Sequence, residues 1–336
     1  MSQRMWKKMF RALIFGLLLA AAVNGNALAQ AEKTVPVPAK RHFEFVYSGV
    51  ITDLPKGATV RAWIPLPPSN QEQQVVRKVT EIPGKARETQ ETVHGNRMLY
   101  VEFQAQSAGE LPFRLEYDVT RNELNSLASK GGERLTSEQE RIYSAPNRLV
   151  PIDGKPASLL DGSELPEDPL ESGRFLYDLV EKYMSYDKSN PGFGQGDVLW
   201  ACDSKTGNCT DFHSLFISLA RNQQIPAFFE IGFPLPVERG QGKVGGYHCW
   251  AKYYAKDHGW VPVDISEADK HPDLREYYFG NLSENRMAFS KGRDIDLEPK
   301  QSGESLNYFV FPHVEVDGEL WPKAKIKMEF QYRDID

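Results

Sequence analysis

"GNCTDFHSLFISLARNQQIPA", Gly207 to Ala227, is the stretch on which the fold turns. Gly207 permits a tight turn and Asn208 or Thr210 can cap. Cys209 then stands in the first turn of a helix carrying Phe212, Phe216, Leu219 and Ala220 on one face and ending before Pro226. Backbone N–H groups in a first helical turn lack intrahelical partners, and the helix dipole favours an anion there. That setting lowers a thiol pKa and makes a thiolate nucleophile, and the same N–H groups suit a developing oxyanion. A lone cysteine is more often an inert core residue, so its meaning depends on its partners.

A thiolate acyl-transfer site needs a base and a group that orients the base. In "GGYHCWAKYY" His248 opens a strand after a glycine-rich loop, and in "GWVPVDI" Asp264 sits inside an apolar strand, where an unpaired carboxylate is costly. A hairpin turning at Asp257–His258–Gly259 carries both to neighbouring strands, and the register decides whether they share a face. The plainer reading makes Asp264 a cap on the following "SEA" turn and His248 a satisfied core residue. Cys, His and Asp in this order and context favour the site.

The flanks set the class. Residues 41–121 alternate apolar and polar side chains in "HFEFVYSGVI", "TVRAWIPL", "RMLYVEFQ" and "FRLEYDVT", the period of an antiparallel β-sandwich. We place this domain at 38–122. A polar, charged linker at 123–145 follows, and a catalytic domain occupies 146–336. In "EDPLESGRFLYDLVEKYM" Asp168 caps and Pro169 starts a helix with Leu176, Leu179, Val180 and Tyr183 on its core stripe. After the Cys209 helix the strands return, in "AFFEIGFPL", "YHCWAKYY", "GWVPVDI", "NYFVFPHVEV" and "KIKMEFQY". Helices followed by a run of strands make an α+β fold.

The first 29 residues carry Arg4, Lys7, Lys8 and Arg11, then the apolar run Ala12–Val23 and "ALA" at 27–29. They read as a signal peptide, because an apolar run of about 12 residues is short of the roughly 20 that span a bilayer. We therefore expect an exported protein, periplasmic or secreted, with no stable membrane span after cleavage. The chain has 40 basic and 46 acidic residues; removing those four basic ones leaves 36 and a net charge of −10. That balance argues against nucleic acid or an anionic membrane surface as partner. The cysteines Cys202, Cys209 and Cys249 are odd in number, so at least one thiol stays free or bonds elsewhere, and a Cys202–Cys249 pair is one arrangement.

"GNCTDFHSLFISLARNQQIPA", "GYHCWAKYY" and "GWVPVDISEA" together resemble the three motif blocks of the transglutaminase-like superfamily, a papain-like thiol fold. The resemblance spans about residues 140–300. The tail "HPDLREYYFGNLSENRMAFSKGRDIDL" resembles its bacterial exported branch, and the β module resembles the N-terminal sandwich of such proteins. It implies Cys209 as nucleophile, His248 as general base and then acid, and Asp264 as orienting group. The implied reaction is acyl transfer on a peptide or protein amide through a thioester, with water or an amine as acceptor. A further side-chain oxyanion donor is implied too; Trp200 and Tyr186 are candidates.

Other signals carry less. "GQGKVG" at 240–245 fits G-x-G-x-x-G but precedes a strand without a βαβ frame, so it reads as a surface loop or a lid near His248. His213 shares a helix face with Cys209 and reads as packing or support. His248, His258 and His271 lack zinc-site spacing, so no metal and no cofactor is expected. Trp250 is a candidate for lining a substrate groove. The alternatives are a non-catalytic envelope protein binding peptides or assembling partners on the same fold, and a redox thiol protein resolved by Cys202 or Cys249.

Overall fold

Alternation builds the first strands as expected. In β1 (Lys40–Leu54), Phe43, Phe45, Tyr47 and Ile51 are buried between half-exposed neighbours, the pattern of a sheet with one wet face. The computed structural model describes residues 39–335 apart from 129, 130 and 133, so the 1–29 leader and part of the 123–145 linker lie outside the described residues. After β1 come β2 (Thr59–Leu66), β3 (Gln73–Glu81), β4 (Ala86–Gln90), β5 (Arg97–Gln104), β6 (Gly109–Asn122) and β7 (Leu124–Asn125). The helical part holds α1 (Ser137–Ser144), α2 (Pro169–Tyr183), β8 (Ser185–Tyr186), α3 (Val198–Ser204), β9 (Thr206–Gly207) and α4 (Cys209–Asn222). Then follow β10 (Ala227–Pro234), β11 (Gln241–Lys243), β12 (His248–Ala255), β13 (Gly259–Val263), α5 (Ile265–Lys270), β14 (Asn281–Leu282) and β15 (Arg286–Lys291). The chain ends in β16 (His313–Val316), β17 (Glu319–Leu320) and β18 (Ile326–Asp334). The fold is α+β with mostly antiparallel sheets; among the named strands β8 and β9 alone pair in parallel.

Two five-stranded sheets have the orders β11-β18-β1-β6-β3 and β17-β16-β2-β5-β4, and a four-stranded sheet runs β13-β12-β10-β15. The last strands therefore do not stay with the sheet that carries His248, where the sequence reading placed them. β18 pairs with β1 from Phe43↔Asp334 to Ile51↔Ile326, and β16 pairs with β2. Unpaired edges of long strands are unstable, and these two pairings cover them while adding Phe330, Tyr332, Val314 and Val316 to the core. One apolar core runs through both five-stranded sheets and the helices, and the described residues belong to one compact unit. "GQGKVG" becomes β11, an exposed edge strand on β18.

The described parts of 123–145 are more ordered than a linker needs to be. Leu124–Asn125 pair with Asn281–Leu282. The α1 helix has a Thr136/Gln139 capping box, and its Tyr143 packs on Phe228 and Trp260. A polar side chain joins the first sheet to the four-stranded one. Gln73 donates to Ala288 O at 3.0 Å and accepts from Ala288 N at 2.9 Å, standing in for a strand neighbour where the β10–β15 register shifts.

At α2, Asp168 accepts from the Leu170 and Glu171 N–H groups ahead of Pro169, as the sequence predicts. Helix α4 departs from prediction. Every residue from Cys209 to Arg221 is buried rather than one face, because α2, α3, α5, β10 and β12 all pack around it. Its polar side chains find partners inside: Ser214 donates to Thr210 O at 2.6 Å and Ser218 to Pro151 O. Among the described residues no helix is long and apolar enough to cross a membrane.

Candidate active site

Asn208 is the N-cap of α4 and accepts the Thr210 N–H at 2.8 Å. Asp211, the third residue of the helix, closes the capping box from the Asn208 N–H at 2.9 Å. Its carboxylate also accepts the Gly194 and Gly196 N–H groups at 2.7 and 2.8 Å, lashing the glycine loop to the Cys209 turn. Gly196 has φ +61°, and a Cβ there would lie 2.2 Å from Arg293 Nη2, so this loop position needs glycine. The Cys209 N–H has no hydrogen-bond partner among the described residues, which leaves it for an incoming acceptor.

The β12–β13 hairpin has the register Ala251↔Val263. His248 opens β12 while Asp264 stands one residue past β13, at the N-cap of α5. Asp264 does both things the sequence left open. Its Oδ1 accepts the Glu267 N–H at 3.3 Å as a cap, and its Oδ2 meets His248 Nε2 at 2.8 Å. With Nε2 committed to Asp264, Nδ1 is the ring nitrogen left for Cys209, whose side chain adjoins His248. His213, one helical turn beyond Cys209, backs the pair from below: its Nε2 accepts the Ile265 N–H at 3.0 Å and lies 3.8 Å from Asp264 Oδ1. That accepted hydrogen places the proton of a neutral His213 on Nδ1.

The charges settle into an ion pair. The Cys249 thiol and the His248 imidazolium beside Cys209 hold its thiol well below the usual range, outweighing burial. Burial pushes Cys249 well above its ordinary value, so it keeps its proton. Burial alone would lower His248, yet the Asp264 carboxylate and the bonds to Asp264 and Cys209 raise it to about 10. Burial would raise Asp264; its His248 and Arg286 neighbours hold it well below the carboxylate range. Burial takes His213 down to about 4. His248, Asp264 and Glu267 have ligand atoms within 4.8 Å of one another, but Arg286, Lys270 and His271 already sit on these carboxylates. A thiolate, an imidazolium and an orienting carboxylate meet at a helix N-terminus, an arrangement able to attack a carbonyl and protonate a leaving group.

Residues 159–265, which include Cys209, His248 and Asp264, match the family model of the transglutaminase-like superfamily. The chain carries a transglutaminase-like domain. An uncharacterized protein of Haemophilus influenzae is 27% identical over 365 residues, covering 94% of this chain and 97% of its own length. The crystal structure of a "Putative Cysteine Protease" from Cytophaga hutchinsonii superposes with a TM-score of 0.54 at 13% identity, covering 88% of this chain and all of that one. The superposition speaks to fold.

Several side chains around the transglutaminase-like domain differ from expectation. Trp250 lines no groove: it is fully buried, with its Nε1 donating to Glu230 Oε2 at 2.5 Å. Trp200 Nε1 donates to Pro191 O at 3.1 Å, so that indole is engaged. Tyr186 pairs with Gly207 across β8 and β9, two residues before Cys209; burial and the nearby Cys209 push its phenol above its usual range. All three cysteines are free, and the Cys202–Cys249 pair is not formed. Cys249 Sγ instead lies 3.7 Å from Thr210 Oγ1 and 3.8 Å from His213 Nδ1. Sequence reasoning missed Asp211 and Arg286. The signal for Asp211 was its place as third helical residue after an Asn cap; for Arg286 it was a cation opening an apolar strand.

Proposed function

We propose that this protein is a cysteine-dependent enzyme that transfers the acyl group of a peptide or protein amide through a Cys209 thioester. The carrying observation is the meeting of three side chains: His248 Nε2 at 2.8 Å from Asp264 Oδ2, with its other edge at Cys209 on the first turn of α4. In this reading the Cys209 thiolate attacks the amide carbonyl carbon, and the oxyanion accepts the Cys209 N–H. His248 then gives its proton to the leaving amine, and the C–N bond breaks to leave the acyl thioester. Neutral His248 next takes a proton from water or an amine, whose attack releases the acyl group and restores the thiolate–imidazolium pair. Asp264 stays ionised throughout and fixes the ring. Water as acceptor makes a protease or amidase, and a primary amine makes a transglutaminase. We favour water, since it is abundant and no sequence feature specifies an amine acceptor. Export to the periplasm or medium belongs to the same proposal and rests on the 1–29 leader.

The test is labelling of the purified chain with iodoacetamide at neutral pH, followed by peptide substrates with and without a dansyl-cadaverine acceptor. Rapid modification confined to Cys209, and acid or amine-adduct products, are the expected results. A Cys209 that titrates as an ordinary thiol near pH ~8.5, with no turnover, would support the non-catalytic peptide-binding alternative instead.

A further inference from the structure

Asp264 Oδ2 accepts two hydrogens. One comes from His248 Nε2 at 2.8 Å, the other from Arg286 Nη1 at 3.0 Å. Arg286 opens β15 and is buried, with 5% of its side chain exposed, and Asp264 is wholly buried. Arg286 Nε has no partner among the described residues, so the guanidinium is not held in place by bonding along its whole edge. Its face lies over the Trp250 ring, 4.8 Å from the centroid. The ring is fixed in turn: Trp250 donates to Glu230, Glu230 lies 3.1 Å from Lys252, and Lys252 also pairs with Glu72. A buried chain of side chains thus runs from the start of β3 to the candidate catalytic carboxylate.

We propose that Arg286 is a positioning residue of this site: it pins the Asp264 carboxylate by sharing Oδ2 with His248 and cancels part of its charge. Its catalytic meaning rests on the thiol-enzyme reading; its effect on His248 does not. Oδ1 has only the long contacts from the Glu267 N–H at 3.3 Å and the Ser266 hydroxyl at 3.4 Å. The second donor on Oδ2 adds a shorter bond to these, and a planar guanidinium stacked on an indole holds that geometry where a flexible ammonium would not. The charge matters equally. An Asp264 unopposed by Arg286 would bind the imidazolium proton more tightly and weaken His248 as the acid that protonates the leaving amine.

The other titratable groups facing His248 are Cys209 from α4 and Glu267 from α5, the latter 3.9 Å from Nε2. His213 and Arg286 face Asp264 from α4 and β15, with Cys249, Tyr177, Tyr186 and Tyr278 also within its field. Replacing Arg286 alters one charge in this set and leaves the rest in place.

The experiment titrates the His248 ring by NMR in the full chain carrying Cys209→Ala, which removes the thiolate and any turnover. It compares that background alone, with Arg286→Gln and with Arg286→Lys. Arg286→Gln is expected to raise the pH of His248 deprotonation by about one unit or more, while Arg286→Lys, keeping a cation, moves it much less. An Arg286→Gln titration that overlays the background overturns the proposal, as does an equal shift in both variants. Should Arg286→Gln fail to fold, Arg286→Lys in the Cys209 chain decides. Its acylation rate with p-nitrophenyl acetate should fall roughly 10- to 100-fold through lost alignment, and an unchanged rate overturns the assignment. Failure of the thiol-enzyme reading shows separately, as an ordinary Cys209 titration in the unsubstituted chain.

Discussion

His248 and Asp264 meet Nε2 to Oδ2 at 2.8 Å across the open end of the β12–β13 hairpin. The contact is diagonal: Asp264 lies one residue beyond β13, at the start of α5, and so escapes the strict alternation of the sheet. The two oxygens of one carboxylate serve the helix cap and the His248 ring.

That division of labour predicts graded losses. Cys209→Ala should lower the rate of amide or ester turnover on the order of 10⁴-fold or more. Asp264→Asn, which keeps the shape but loses the charge and can hold the wrong tautomer, should cost roughly 10²- to 10⁴-fold. Steady-state rates on p-nitrophenyl acetate, corrected for its uncatalysed hydrolysis, check both.

His213 makes acid stability measurable. Burial takes its folded pKa to about 4, below the ordinary imidazole value of about 6.5, so the unfolded chain binds the proton more readily. The stabilisation is full above pH ~6.5 and is lost as pH falls towards 4, a change of about 3 kcal/mol at most. Urea unfolding from pH 7 to 4 should show this slope, and His213→Gln should flatten it. His248 has the opposite sign: its contribution is full below pH ~6.5 and is lost as pH rises through about 10.

Lys252 has 4% of its side chain exposed and lies between Glu72 and Glu230. Lys252→Met leaves the buried Glu230 carboxylate without its cation, while Glu72 keeps Arg121 at 3.1 Å, and a loss of roughly 3–5 kcal/mol is expected in urea unfolding. Adding Glu72→Gln and Glu230→Gln should recover much of it. A single variant as stable as the parent contradicts the network.

Gln73 predicts a remote effect. Gln73→Ala leaves the buried Ala288 N–H and C=O without their partner, at a cost of about 2–3 kcal/mol. Faster amide hydrogen exchange at Ala288, two residues from Arg286, is the specific sign. Unchanged exchange would dismiss the side chain as a strand substitute.

Much of this was legible locally. The Asn208–Cys209 turn, the Asp168 cap and the alternation of β1 and β6 follow from short-range rules, since caps and pleats involve residues within a few positions, whereas β2 and β5 bury consecutive residues. The one-sided reading of α4 failed because its polar residues are satisfied by neighbours far along the chain, which periodicity does not report. The assignment of the final strands to the catalytic part failed for a similar reason: alternation says that a segment is a strand and nothing about its partner.

The sequence by itself determined the turn that carries Cys209, the candidate pairing of His248 with Asp264 and the α+β class, because each is written in local chemistry and spacing. Only the tertiary structure decided that the end of the chain pairs with its beginning, that Asp264 both caps and orients, and that Arg286 shares its oxygen. The contacts of Asp264 with His248 and Arg286 and of Arg41 with Asp334 join residues 16 to 293 positions apart. They arise from sheet register and from the need to neutralise and hydrogen-bond every charge taken out of water.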